Sequence, residues 1–135
     1  MARFLSAEWV AAFNEAVAGV ELPEPDPDAD LATRGGAYAW SQVVTGGPAG
    51  DVEVTLRVAG RRLSMALRAD PDAEVTVRIP WADALAMARG ELTPAEAIAT
   101  GRVRVRGDLA VLRAGQALLA ALGPELAALQ AATTY

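Results

Sequence analysis

Between Asp51 and Ile79 the chain alternates side chains that avoid water with side chains that need it. Val52, Val54, Leu56 and Val58 alternate with Glu53, Thr55 and Arg57. After a short turn at Ala59-Gly60, Leu63, Met65 and Leu67 continue the pattern. Val75, Val77 and Ile79 repeat it, with Thr76 and Arg78 facing away. A period of two puts each apolar set on one face of a β-sheet. Tyr38–Thr45 adds a strand rich in aromatic and β-branched residues. A last strand lies in Gly101-Arg102-Val103-Arg104-Val105-Arg106-Gly107-Asp108-Leu109, with the two valines on one face and the three arginines on the other. Such a sheet needs a cover on its apolar face only. Glu53, Arg57, Arg62, Arg68, Glu74, Arg78 and the arginines at 102, 104 and 106 would then form a solvated face, paired between neighbouring strands. Gly46–Gly50 reads as a loop and Asp70–Ala73 as a turn.

The cover is legible as helices. Ser6 is an N-cap for a helix over 7–18, with Trp9, Val10, Phe13 and Val17 on its apolar side and Gly19 as its stop. Trp9 and Phe13 read as core packing in preference to a ligand contact. Pro80 opens a short helix over 81–89, with Trp81, Leu85 and Ala88 as its stripe and Met87 beside it. Thr93-Pro94-Ala95-Glu96 is a capping box for another short helix, through Ala99. Asp108 caps a longer helix to about Leu122, whose stripe is Leu112, Gly115, Leu119 and Leu122, flanked by Val111 and Leu118. Gly123-Pro124 breaks the chain before a final helix over 125–130, which is placed to act as a lid. Strands first and helices after make an α+β class: a five-stranded, mostly antiparallel sheet with helices on one face, in a single domain over 1–135. Much of the helical apolar surface is alanine, which either draws layers together or leaves a space.

The chain has no Cys, no His and no Lys, and all twelve of its cations are Arg. That removes thiol and imidazole nucleophiles, Cys/His zinc sites, Schiff-base chemistry and the P-loop lysine. No cofactor and no metal are expected. Glu21–Asp30 packs three prolines and five acids into ten residues, so it reads as an extended connector. A calcium loop there lacks the glycine and the terminal glutamate of the EF-hand pattern. The net charge of −5 speaks against nucleic acid as a partner. No apolar run is long enough to span a membrane, and Met1–Ser6 has no signal-peptide core. The expected setting is the cytoplasm, and the Ala- and Arg-rich usage suggests a high-GC bacterial source.

From Asp51 to about Leu122 the chain resembles the sterol carrier protein 2 (SCP-2) family. The matching pieces are Ala73–Ile79, then Ala84–Ala97 with its Arg89-Gly90-Glu91-Leu92-Thr93-Pro94 turn, then Gly101–Leu109. The pattern is a strand, a helix, a Gly-x-Leu-x-Pro-like turn, a second helix, and Gly followed by alternating basic and hydrophobic residues to Gly-Asp. Arg stands here where the family usually has Lys. The first fifty residues match only in general layout.

The resemblance implies an apolar tunnel between sheet and helices that holds a sterol, fatty acid or acyl-CoA, and brings no catalytic residues. The inward positions that would line it are Trp40, Leu56, Val58, Met65, Val77, Ile79, Trp81, Leu85, Met87, Val103, Val105, Leu112, Leu119 and Leu122. About twelve methylenes buried at about 0.8 kcal/mol each would supply affinity before binding costs. Two other readings stay open. One is an isomerase or cyclase acting on an apolar substrate, for which Asp83, Glu96 and Tyr38 are the available groups. The other is an accessory module that dimerises. A homodimer and a transient contact with a membrane surface belong with the carrier reading.

Overall fold

The computed structural model describes residues 2–22, 37–48 and 50–134. The acidic connector beyond Leu22, with the calcium-loop reading attached to it, lies outside the described residues, as do Ala49 and Tyr135. In chain order the elements are β1 (Ala2–Arg3), α1 (Ala7–Val17), β2 (Tyr38–Gly47), β3 (Gly50–Ala59) and β4 (Arg62–Ala66). They continue with β5 (Val75–Pro80), α2 (Trp81–Ala88), α3 (Pro94–Ala99), β6 (Arg104–Gly107), α4 (Leu109–Ala121), α5 (Gly123–Ala131) and β7 (Thr133–Thr134). The helix starts follow their caps. Ser6, Thr93 and Asp108 accept from the backbone N–H groups of Trp9, Glu96 and Ala110 respectively, which satisfies donors a helix start leaves open.

β2 to β6 form one sheet in the order β4-β3-β2-β5-β6. β2 pairs antiparallel with β3 and parallel with β5; the other two pairings are antiparallel. The fold is therefore α+β with a mixed, mostly antiparallel sheet. Trp40, Leu56, Val77 and their row neighbours face a core to which each of the five helices contributes side chains.

The chain between β4 and β5 departs from the expected turn. β5 lies beyond β3 and β2, so residues 67–74 cross the sheet as a strap. The strap runs over the polar face. Thr55 Oγ1 donates to the Arg68 carbonyl at 2.7 Å, Asp70 forms an ion pair with Arg57, and the Ala39 N–H donates to Glu74 Oε2 at 2.7 Å. Beneath it Ser41 and Thr55 are buried and joined at 2.8 Å. The N–H of Asp72 and the Arg57 guanidinium hold the Asp70 carboxyl below its ordinary range. The face read as open is thus half roofed. Its charges also pair differently from expectation: Arg57 finds its acid in the strap, and Arg78 stands directly opposite Arg104 in the sheet register. Arg102 falls outside β6 and reaches Asp83 of α2 at 3.3 Å. Leu67 leaves the alternation and is 42% exposed.

Edge strand β4 is managed from α1. Asn14 Nδ2 donates to the Met65 carbonyl at 2.9 Å, and its Oδ1 accepts from the Met65 N–H at 2.7 Å. One amide thus occupies the ladder positions a further strand would use. At the other edge Gly107 (φ +116°) passes so close to β5 that a Cβ would sit 2.3 Å from the Glu74 carbonyl oxygen.

The sequence reading missed the small second sheet. β1 and β7 pair in parallel, Ala2 with Thr133 and Arg3 with Thr134. Beside it the Trp9 Nε1–H donates to Thr133 Oγ1 at 2.9 Å, and that hydroxyl donates to the Leu129 carbonyl. Thr133→Val keeps the shape but leaves the indole N–H unpaired in the core. The expected cost is about 1–3 kcal/mol, read from urea unfolding.

Candidate ligand cavity

Between the apolar face of the sheet and the helices lies a cavity of about 340 Å³. Its floor is Trp40, Gln42 and Val44 of β2, Leu56 of β3, Met65 of β4, and Val77 and Ile79 of β5. Period 2 places these side chains together, because sheet register sets them in adjacent rows. Val103 extends the floor toward β6. Opposite stand Ala84, Met87 and Ala88 of α2, and Leu112, Gln116 and Leu119 of α4. α4 crosses β2 closely because residue 115 is glycine; a Cβ there would lie 3.0 Å from the Trp40 ring. The third wall comes from both ends of the described chain: Phe4, Leu5, Trp9 and Phe13, then Leu126, Leu129, Gln130 and Thr133. Ile98 lines the cavity and is 43% exposed, and Gln130 is exposed as well, so α3 and α5 frame its mouth.

Of the positions proposed from sequence, Trp40, Leu56, Met65, Val77, Ile79, Met87, Val103, Leu112 and Leu119 line this cavity. Val58 and Leu122 are buried in the core away from it, and Val105 packs half-buried against the core. Trp81 and Leu85 face elsewhere, into a more open depression with Arg3, Pro48 and Arg89. α2 is turned from the expected stripe. Residues 84, 87 and 88 point inward, while Trp81 packs against Phe4 with ring centroids 5.6 Å apart. Trp9 and Phe13, for which the sequence favours core packing over a ligand contact, are buried and line the cavity too. Gln42 was missed, although it falls between Trp40 and Val44 on the same face.

No charged side chain lines the cavity among the described residues. The three groups considered for catalysis lie outside it. Asp83 pairs with Arg102, and Glu96 is exposed on α3 and bonded to Thr93. Tyr38 is half-buried and stacks on Trp40, and burial raises its hydroxyl pKa. No cluster of acids able to hold a metal occurs among the described residues.

The polar side chains that line the cavity are Gln42, Gln116, Gln130 and Thr133, and the Thr133 hydroxyl is already paired with Trp9 and Leu129. Among the described residues nothing hydrogen-bonds the side chain of Gln42 or Gln116. Among the described residues no fully buried side-chain polar atom lacks a partner, so both amides retain accessible surface, and both line the cavity.

These features define an α+β fold built round an uncharged, largely apolar cavity. Residues 13–120 match the SCP-2 sterol transfer family, and the chain belongs to that family. Three solved structures show how far the likeness runs. The palmitated SCP2L2 of Aedes aegypti is 23% identical, with a TM-score of 0.52 over 84% of this chain and 92% of that one. A protein described as UbiJ-SCP2, a ubiquinone synthesis protein, is 19% identical, with a TM-score of 0.51 over 84% and 87%. A double mutant of the sec-alkyl sulfatase PisA1 is 21% identical, with a TM-score of 0.51 over 66% of this chain but only 14% of that much longer one. At these identities the likeness establishes the fold. No curated protein matches the chain. The cavity wall made by Phe4, Leu5 and Trp9, and by Leu126 to Thr133, lies outside the family match.

Proposed function

We propose that the protein binds one hydrophobic small molecule of the lipid class in this cavity and carries it without changing it. The observation that carries the reading is the lining itself: largely apolar and, among the described residues, without a charged side chain. An apolar occupant of this space would bind the folded chain and not the unfolded one, and so would stabilise the fold. Family membership and the palmitated relative agree with a lipid as the class of cargo. A catalytic reading finds no support at the cavity, where general acid–base work would need a titratable group within hydrogen-bond reach. The small share of the sulfatase that this chain matches supports no activity of that kind here.

Native mass spectrometry of the protein, before and after delipidation, tests the proposal. The expected result is a bound lipid-sized mass in the first case, and uptake of one lipid per chain in the second. A delipidated protein that takes up none, and melts at the same temperature with and without lipid, would remove the reading.

A further inference from the structure

Gln42 is out of place by the logic of its strand. It lies on central strand β2 and on the cavity face, in register with Val54 on one side and Val77 on the other. Along the strand its same-face neighbours are Trp40 and Val44, both buried. A carboxamide among these residues lowers the apolar character of the floor and makes no hydrogen bond that would justify it as architecture. Gln116 repeats the anomaly on the facing layer. It follows Gly115, whose close approach to Trp40 sets α4 against β2. Both amides therefore open on one space from opposite walls.

From this we infer that Gln42 and Gln116 select a lipid with an uncharged hydrogen-bonding group, such as a hydroxyl, amide or ketone, over one with an ionised carboxylate. The inference rests on the proposed lipid site and names the chemistry of its cargo. Each carboxamide offers two N–H donors and one acceptor oxygen, so the pair can serve a group that accepts, donates or does both. Neither supplies charge. No arginine lines the cavity among the described residues, although the chain carries twelve. An ionised carboxylate held between the two amides would lose part of its water and gain no cation, which disfavours it. An alcohol loses far less and recovers hydrogen bonds from the amides.

The test uses the delipidated full chain at pH 8 and two probes of equal length, 1-dodecanol and dodecanoate. Each displaces a fluorescent apolar dye while native mass spectrometry counts bound molecules. Dodecanol is expected to bind at least about tenfold more tightly. In Gln42→Leu and in Gln116→Leu that preference should shrink to about threefold or less, with melting temperatures no lower than the parent's. Equal affinity for the two probes in the parent overturns the selectivity while leaving the lipid site standing. A preference that survives in both variants also overturns it, since the amides would then not be its source. Failure of both probes to bind removes the lipid site itself, and the selectivity with it.

Discussion

Gly107→Ala is expected to cost about 3–5 kcal/mol and to leave little folded protein at 37 °C. Two effects add at this position. The backbone sits at φ +116°, in the region that side chains rarely adopt. The new methyl would also lie 2.3 Å from the Glu74 carbonyl oxygen and 2.8 Å from the Val75 Cα. Both obstacles are backbone, so no rotamer change relieves them. The Asp108 N–H donates to that same Glu74 carbonyl at 2.8 Å, so a shift large enough to admit the methyl breaks this bond as well. It would also disturb the start of α4, which Asp108 caps. Urea unfolding of the variant beside the parent reads the effect. A loss under about 1 kcal/mol would mean that β6 is not held against β5 as described.

Ala84→Trp is expected to weaken lipid binding by about a hundredfold while the protein stays folded. Ala84 is buried on α2 and points into the cavity. The added indole would occupy space the cargo needs. Displacing about four methylenes at about 0.8 kcal/mol each removes on the order of 3 kcal/mol, which is roughly two decades of affinity. Because the indole enters existing space rather than a packed core, the stability change should stay within about 2 kcal/mol. Leu85→Trp, one residue on, faces the other depression and should leave affinity unchanged. Dye displacement on both variants separates the two sites. If Leu85→Trp abolished binding and Ala84→Trp did not, the cargo would lie in the Trp81 depression.

What could be read in advance follows the physics of each signal. Strand alternation and helix caps are local and strong. Ser6, Thr93 and Asp108 start their helices where their side chains indicated, and the floor from Trp40 to Ile79 follows from period 2. The facing of α2 was misread because an eight-residue helix allows two apolar stripes, and size favoured the one with Trp81 and Leu85. Tertiary contact decided otherwise: Trp81 is held by Phe4 and lies against Gly47, both distant in sequence. The strap reads as a turn in the sequence because Asp70-Pro71-Asp72 has turn chemistry locally, and local chemistry does not reveal which strand comes next in the sheet. A trace of it was present in the small outward residues Ala39 and Ser41, which leave room for a crossing chain. Gln42 was visible in the alternation, but a search for apolar lining passes over a polar residue. β1 and β7 are two residues each, too short for any periodicity.

The strap also sets an order of assembly. β2, β3 and β4 follow one another closely along the chain, so their pairing closes only small loops. β5 reaches β2 across the strap, where Trp40 meets Val75, and Ala2 meets Thr133 only when the far ends come together. Loop closure of this kind makes distant pairing slow. If the local pairings form first, the apolar face of the meander has only α1 against it until α4, α5 and the end pairing close over it. Whatever apolar molecule is at hand during that interval meets an open surface rather than a cavity, and the last contacts to form are the ones that would enclose it.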